Sequence, residues 1–137
     1  RSSSSALKQL QLIKHLLFQS ERLILFPEGT SSDGRKVLPF KPSLFEAPIQ
    51  ADAIVQPLTI RYEKINGMPV DRRSKPFLAW YGNMDLLPHL WQSLSLGTIT
   101  IKLVFHEPIK AKVFSNRKRL ANHCQKVIAS ESEKPDQ

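Results

Sequence analysis

A single cysteine, Cys124, stands in 137 residues. That excludes an intrachain disulfide and fits a reducing compartment. No run approaches the roughly 18 apolar residues needed to span a bilayer, and no hydrophobic leader follows the opening Arg1-Ser2-Ser3-Ser4-Ser5. Acidic residues are also scarce, 12 against 20 Lys and Arg, so the net charge is +8 and the pI about 9.9. Such a balance favours polyanionic partners: nucleic acid, anionic lipid head groups or phosphorylated substrates. Composition alone does not choose among them. Hydrophobic residues make up 41%, enough to build a core and too many for a disordered tail. The length suits one domain, at the small end for an α/β enzyme.

The apolar pattern predicts alternating helices and strands. In residues 6–20, Ala6, Leu10, Ile13 and Leu17 recur at helical spacing, with Leu7 and Leu16 widening the stripe. Ser4 or Ser5 is the candidate N-cap. Residues 23–26 read as a short buried strand ended by Pro27. Pro39 and Pro42 keep the next stretch extended until a helix at 43–50. Residues 53–60 read as a central strand, against which Pro57 is a local objection. Residues 61–76 are polar, with Asn66-Gly67 as a turn signal and a charged loop at Asp71-Arg72-Arg73. A strand at 77–81, a helix at 86–94, a strand at 98–105 and a helix at 115–129 complete the reading, with a polar tail at 130–137. The order predicts an α/β fold, a mixed sheet flanked by helices. The sheet begins without an obvious first strand, as in the later part of a larger unit.

The most informative segment is Phe26-Pro27-Glu28-Gly29-Thr30-Ser31-Ser32-Asp33-Gly34. It follows the apolar run Leu23-Ile24-Leu25, where α/β enzymes place chemistry on the loop leaving a strand. Glu28 is an acceptor-only carboxylate beside a glycine that permits close backbone approach. It would repel a phosphate but accept hydrogen bonds from hydroxyl groups. Thr30, Ser31 and Ser32 supply hydroxyls, and Arg35, Lys36 and Lys41 can balance an anion. The loop is therefore equipped to hold a hydroxyl and a phosphate together. The competing reading of so short a string is a solvated surface turn.

Phe26-Pro27-Glu28-Gly29-Thr30 resembles the third sequence block of the 1-acyl-glycerol-3-phosphate acyltransferase family, a lysophospholipid acyltransferase family. Val37-Leu38-Pro39-Phe40-Lys41 resembles the segment after that block. Ile54-Val55-Gln56-Pro57-Leu58 resembles the fourth block, in which a proline lies inside an apolar strand. Trp80-Tyr81-Gly82 and Asp85-Leu86-Leu87-Pro88-His89-Leu90 are similar to a bacterial subgroup that includes lyso-ornithine-lipid acyltransferases. The resemblance covers roughly residues 5–110. It implies a glycerol-3-phosphate acyltransferase-like fold, incomplete at its N-terminus. It also implies a reaction in which a fatty acyl group passes from acyl-CoA or acyl carrier protein to the free hydroxyl of a lysophospholipid. No metal or cofactor is implied. The expected place is the cytoplasmic face of a membrane, reached peripherally or through an N-terminal segment. By the same resemblance Glu28 and Gly29 contact the acceptor, Phe26, Pro27 and Thr30 shape the loop, and Arg35 and Lys41 are anion contacts. Many relatives have arginine where this chain has Ser31, which shifts the phosphate contact toward Arg35 or Lys41.

The family's base is a histidine followed four residues later by an aspartate, which removes the proton from the substrate's hydroxyl. That pair is absent here. The fifth residue after His15 is Ser20, after His89 Leu94, after His106 Ala111 and after His123 Ile128. The expectation is a C-terminal part of one acyltransferase domain (residues 1–129, then the tail) that lacks its base and does not turn over. His15 and His123 read as helix-surface residues, His89 as a neighbour of Trp91, and His106 as a strand end without a visible partner. Cys124 reads as packing rather than a nucleophile. Arg117-Lys118-Arg119 reads as a solvated helix face, and Phe40, Phe45, Trp80 and Trp91 mostly as core. The rival reading is a non-catalytic basic module that binds anionic lipid or nucleic acid. It leaves the string from Phe26 to Gly34 unexplained, so nucleic acid is not expected as a partner.

Overall fold

A computed structural model describes residues 3–71, 74–79 and 81–134. The chain opens with α1 (Ser3–Phe18), then runs without regular structure to a 3₁₀ turn (Pro42–Phe45) that leads into α2 (Glu46–Gln50). After β1 (Ile54–Val55), β2 (Leu58–Ile65) and β3 (Met68–Pro69) come two helices, α3 (Lys75–Leu78) and α4 (Leu86–Leu94). β4 (Ile99–Phe105), β5 (Ile109–Lys110), a 3₁₀ turn (Ala111–Val113) and α5 (Arg117–Ser132) close the sequence.

The sheets are small, and every ladder among the described residues is antiparallel. β1 pairs with β5, and β2 lies between β3 and β4. The α/β expectation holds at that level, but two antiparallel sheets replace the single mixed sheet. Pro57 explains the split. It is buried, brings no N–H to a ladder, and stands between β1 in one sheet and β2 in the other. Its carbonyl still accepts the His106 N–H at 3.0 Å. The strand expected at 53–60 is thus two strands, and β2 runs on to Ile65. It then turns through Asn66-Gly67, both at positive φ (50° and 80°), as a tight two-residue hairpin requires.

Two other expectations fail for visible reasons. Residues 23–26 join no ladder, because no described strand lies alongside them. Their side chains nevertheless alternate, Leu23 and Leu25 half-buried while Ile24 and Phe26 are 82% and 74% exposed. The strand expected at 77–81 is instead helix α3 at 75–78, with Trp80 outside the described residues. The Asp71 carboxylate accepts the Ser74 N–H at 2.8 Å, closing a turn, and Pro76 supplies the fixed φ that suits a helix's first turn. Arg72 and Arg73 of the expected charged loop also lie outside the described residues.

The core gathers Phe40, Phe45, Ala111, Leu120, Ala121 and Cys124. The Phe40 and Phe45 rings stack with centroids 6.3 Å apart. α5 is capped by Asn116, whose side chain accepts the Arg119 N–H at 3.0 Å. Its first turn carries Arg117, Lys118 and Arg119, the unfavourable sign for a helix N-terminus. Arg117 meets Glu46 at 3.2 Å, which offsets part of that cost. α5 also runs three residues further than the sequence suggested, to Ser132. That extension matters because the end of α5 reaches the cleft described next.

Candidate functional site

The segment around Glu28 is a tight turn held from behind. The Gly29 N–H donates to the Phe26 carbonyl at 3.1 Å, so Pro27 and Gly29 occupy the second and fourth positions of a four-residue turn, where each is favoured. Gly29 has φ +60°, which glycine adopts without steric cost. Lys41 clamps this turn twice. Its backbone N–H donates to the Pro27 carbonyl at 2.8 Å, and its ammonium donates to the Gly29 carbonyl at 2.9 Å. Pro39 and Pro42 on either side limit the freedom of the clamping strand.

This turn presents Glu28 to a cleft of about 410 Å³, a volume typical of small-ligand sites. The floor and walls come from four places: the loop from Ser32 to Val37, β2 at Ile60 to Tyr62, Val70 with Lys75, Leu78 and Ala79, and the end of α5. On that side of β2, β3 pairs with Lys64 and Ile65, and the Val70 N–H donates to the Glu63 carbonyl at 2.8 Å. Glu28 is half-buried. Burial pushes its carboxyl above the usual carboxylate range, and a hydrogen bond from the Leu38 N–H draws it part of the way back. A carboxylate so placed is short of water and accepts hydrogen bonds readily from a bound hydroxyl.

The residues expected to bind substrate divide into two groups. Glu28 and Arg35 line the cleft together with Ser32 and Lys36. Pro27, Gly29 and Lys41 build the turn without lining it. Phe26 and Thr30 are exposed beside it, and the Thr30 hydroxyl reaches only the neighbouring Ser31 carbonyl, at 3.5 Å. Arg35 is held near Asp33 at 3.6 Å. The apolar edge at Ile60 and Tyr62 and the contributions of Lys75 and the α5 end were not foreseen. Lys75 sits in a polar stretch without a motif, and the reach of α5 depends on its last turn.

None of the four histidines lines this cleft. His15 and His123 are exposed, as expected, and His123 packs on the Phe114 ring at 5.1 Å between centroids. His106 has the partner that sequence did not reveal: its Nε2 lies 2.8 Å from the Thr59 hydroxyl. The Nδ1 of His89 lies 3.4 Å from the Ser93 hydroxyl. Trp91, read as core, is 78% exposed, because α4 turns His89 and Ser93 inward instead. Cys124 is buried, and desolvation raises its thiol to about 11, which makes it a packing residue. Among the described residues no helix is long and apolar enough to cross a membrane.

Residues 1–61 match the family profile "Acyltransferase". Over 127 residues the chain is 38% identical to a lyso-ornithine lipid O-acyltransferase of Brucella abortus, covering 88% of this chain and 48% of that protein. It is likewise 38% identical over 120 residues to a lyso-ornithine lipid O-acyltransferase of Rhizobium meliloti, covering 82% of this chain and 41% of that one. A 1-acyl-sn-glycerol-3-phosphate acyltransferase of Neisseria gonorrhoeae is 34% identical over 89 residues, 65% of this chain and 32% of its own. The chain therefore spans about half the length of these curated relatives. No solved structure matches it.

Proposed function

Starting from a chain that belongs to the acyltransferase family, we propose that the Glu28 cleft holds the acyl acceptor in transfer of a fatty acyl group to the free hydroxyl of a lyso-lipid. The observation that carries this reading is the placement of Glu28. Its carboxylate is half-buried, fixed by the Leu38 N–H, and presented to the cleft by a turn that Lys41 clamps from behind. The chemistry is that of an acceptor grip. Glu28 receives hydrogen bonds from the acceptor's hydroxyls, and the cations lining the same space balance its anion. The apolar edge formed by Val37, Ile60, Tyr62 and Leu78 offers the start of the acyl chain a surface to cover.

The acceptor is a lyso-lipid of the ornithine or glycerophosphate kind, as the names of the relatives suggest. An ornithine head carries both a carboxylate and an ammonium, and a cleft holding Glu28 among cations suits such a mixed charge. The donor is acyl-CoA or acyl carrier protein, and the setting is the cytoplasmic face of a membrane. The domain type is that of the glycerol-3-phosphate acyltransferases. Proton removal is not assigned to this chain. No histidine lines the cleft, and none is followed four residues later by an acid. The 137 residues are accordingly expected to bind acceptor without turning it over.

Calorimetric titration of a short-chain lyso-ornithine lipid, kept below its micelle concentration, tests this reading. The wild-type chain should bind it, and Glu28→Gln should bind it about tenfold or more weakly, the loss expected for a charge-assisted hydrogen bond. Equal affinity in the two proteins would overturn the reading.

A further inference from the structure

Ser31 follows the threonine of the acceptor loop, carries no charge, and is exposed and outside the cleft lining. An anionic head held near Glu28 needs a cation from elsewhere. Five of the charged residues lining the cleft are cations and two are acids. Three of the five are already engaged. Arg61 and Lys134 share the Glu131 carboxylate, and Arg35 is drawn to Asp33. Lys36 and Lys75 have no acidic partner among the described residues. They come from different segments, the acceptor loop and the first position of α3, yet line one space. Lys75 is half-buried. An anion bound in this space would be attracted to both ammonium groups.

We propose that Lys36 and Lys75 form an oxyanion subsite for the acceptor's head group, supplying from α3 the positive charge that the acceptor loop lacks at Ser31. The proposal rests on the reading of the cleft as the acceptor site. The ligand class is a lyso-lipid head that carries a carboxylate or a phosphate. Ammonium groups are point-charge donors and recognise either oxyanion without the fixed fork of a guanidinium. Lys36 belongs to the loop that carries Glu28, whereas Lys75 is set by the Asp71–Ser74 turn and Pro76. Grip on the hydroxyl and grip on the anion are therefore borne by separate segments.

Three soluble short-chain probes separate the sources: an N-acyl ornithine, a lysophosphatidate and a monoacylglycerol with an uncharged head. Each is titrated into the wild-type chain, the double variant Lys36→Met/Lys75→Met, and a control, Lys110→Met/Lys118→Met, with the same charge change at exposed positions outside the cleft lining. Thermal melting confirms that all three proteins fold. The cleft variant should lose about tenfold in affinity for one or both anionic probes. Monoacylglycerol binding should be unchanged, and the control should lose less than about threefold through long-range charge alone. Loss for one anionic probe alone names the head group. Equal losses in the cleft variant and the control, or equal losses for charged and uncharged heads, would overturn the proposal while leaving the acceptor site standing. Absence of wild-type binding to all three probes would remove both.

Discussion

The two faces of the β2–β4 ladder are opposites in composition and in burial. On the face under α5, Thr59 is 1% exposed, bonded to His106 at 2.8 Å and reaching the Ile128 carbonyl at 3.4 Å. Next to it the Arg61–Glu131 pair lies at 3.5 Å. On the other face Ile60 opposes Leu103, Tyr62 opposes Ile101 and Leu58 opposes Phe105, all apolar or aromatic. Yet Leu103 and Phe105 are 52% and 63% exposed. The polar face is buried because a helix covers it and satisfies its hydrogen bonds, and the apolar face is open because no described element covers it. Burial here follows coverage rather than residue type. The cleft sits where the two regimes meet, at residues 60–62 of β2, with apolar Ile60 and Tyr62 beside the charged end of α5.

The largest effect that sharpens this comparison lies beneath α5. Leu120 is fully buried, so Leu120→Ala should cost about 2–5 kcal/mol, read as a drop in the urea midpoint. An unchanged midpoint would mean that the α5 core is not what holds the covered face. Thr59→Val should cost about 1–3 kcal/mol, because the His106 ring loses its bonded hydroxyl in a buried place. Leu103→Thr, directly across the sheet, should fall within about 0.5 kcal/mol of wild type. Similar costs for Thr59→Val and Leu103→Thr would abolish the distinction between the faces. Gly29→Ala should cost about 1–2 kcal/mol from its left-handed backbone. The added Cβ would also stand 2.5 Å from the Lys41 ammonium, so the clamp should open and acceptor affinity should fall with stability.

The smallest effect is a pH dependence. The Glu131 carboxyl is held below its usual range, first by its hydrogen bond from Lys134 and then by the charges of Lys134 and Arg61. A depressed folded value stabilises the fold above the ordinary carboxylate range, and that contribution is lost as pH falls through the folded value. Between neutral and acid pH, wild type should therefore lose more melting temperature than Glu131→Gln. Parallel profiles would show that Lys134 and Arg61 do not hold this carboxylate ionised in the folded state. Glu28 has the opposite sign: its raised value makes the ionised form a slight burden on the folded state at neutral pH. Glu28→Gln should consequently be no less stable than wild type there, which keeps its loss of binding free of an unfolding explanation.

Much of this was legible in the sequence where local signals agree. α1, α4, β4 and α5 follow from periodicity, although α1 starts at Ser3 and takes in Ser4 and Ser5, the expected caps, and Asn66-Gly67 marks the hairpin turn. The acceptor loop was legible too, because proline, glutamate and glycine must stand in that order to make the turn that carries Glu28. What was hidden depends on partners distant in sequence. Residues 23–26 have a strand's composition, but a strand requires a neighbour, and none of the described strands lies beside them. Pro57 could be seen as an obstacle, though not as the point where the chain changes sheet. The partner of His106 stands 47 residues away, at Thr59. Lys75 is invisible as a site residue because only the folding of α3 against the cleft gives it a role.

Amide chemical-shift mapping of the whole 137-residue chain with a short-chain lyso-ornithine lipid tests whether Glu28 and residues 60–62 of β2 form one acceptor site. The account predicts perturbations confined to residues 28–37, 60–62, 75–79 and 132–134, which disappear in Glu28→Gln while the melting temperature holds. Perturbations centred on the open face at Ile101, Leu103 and Phe105, unchanged by Glu28→Gln, would contradict it.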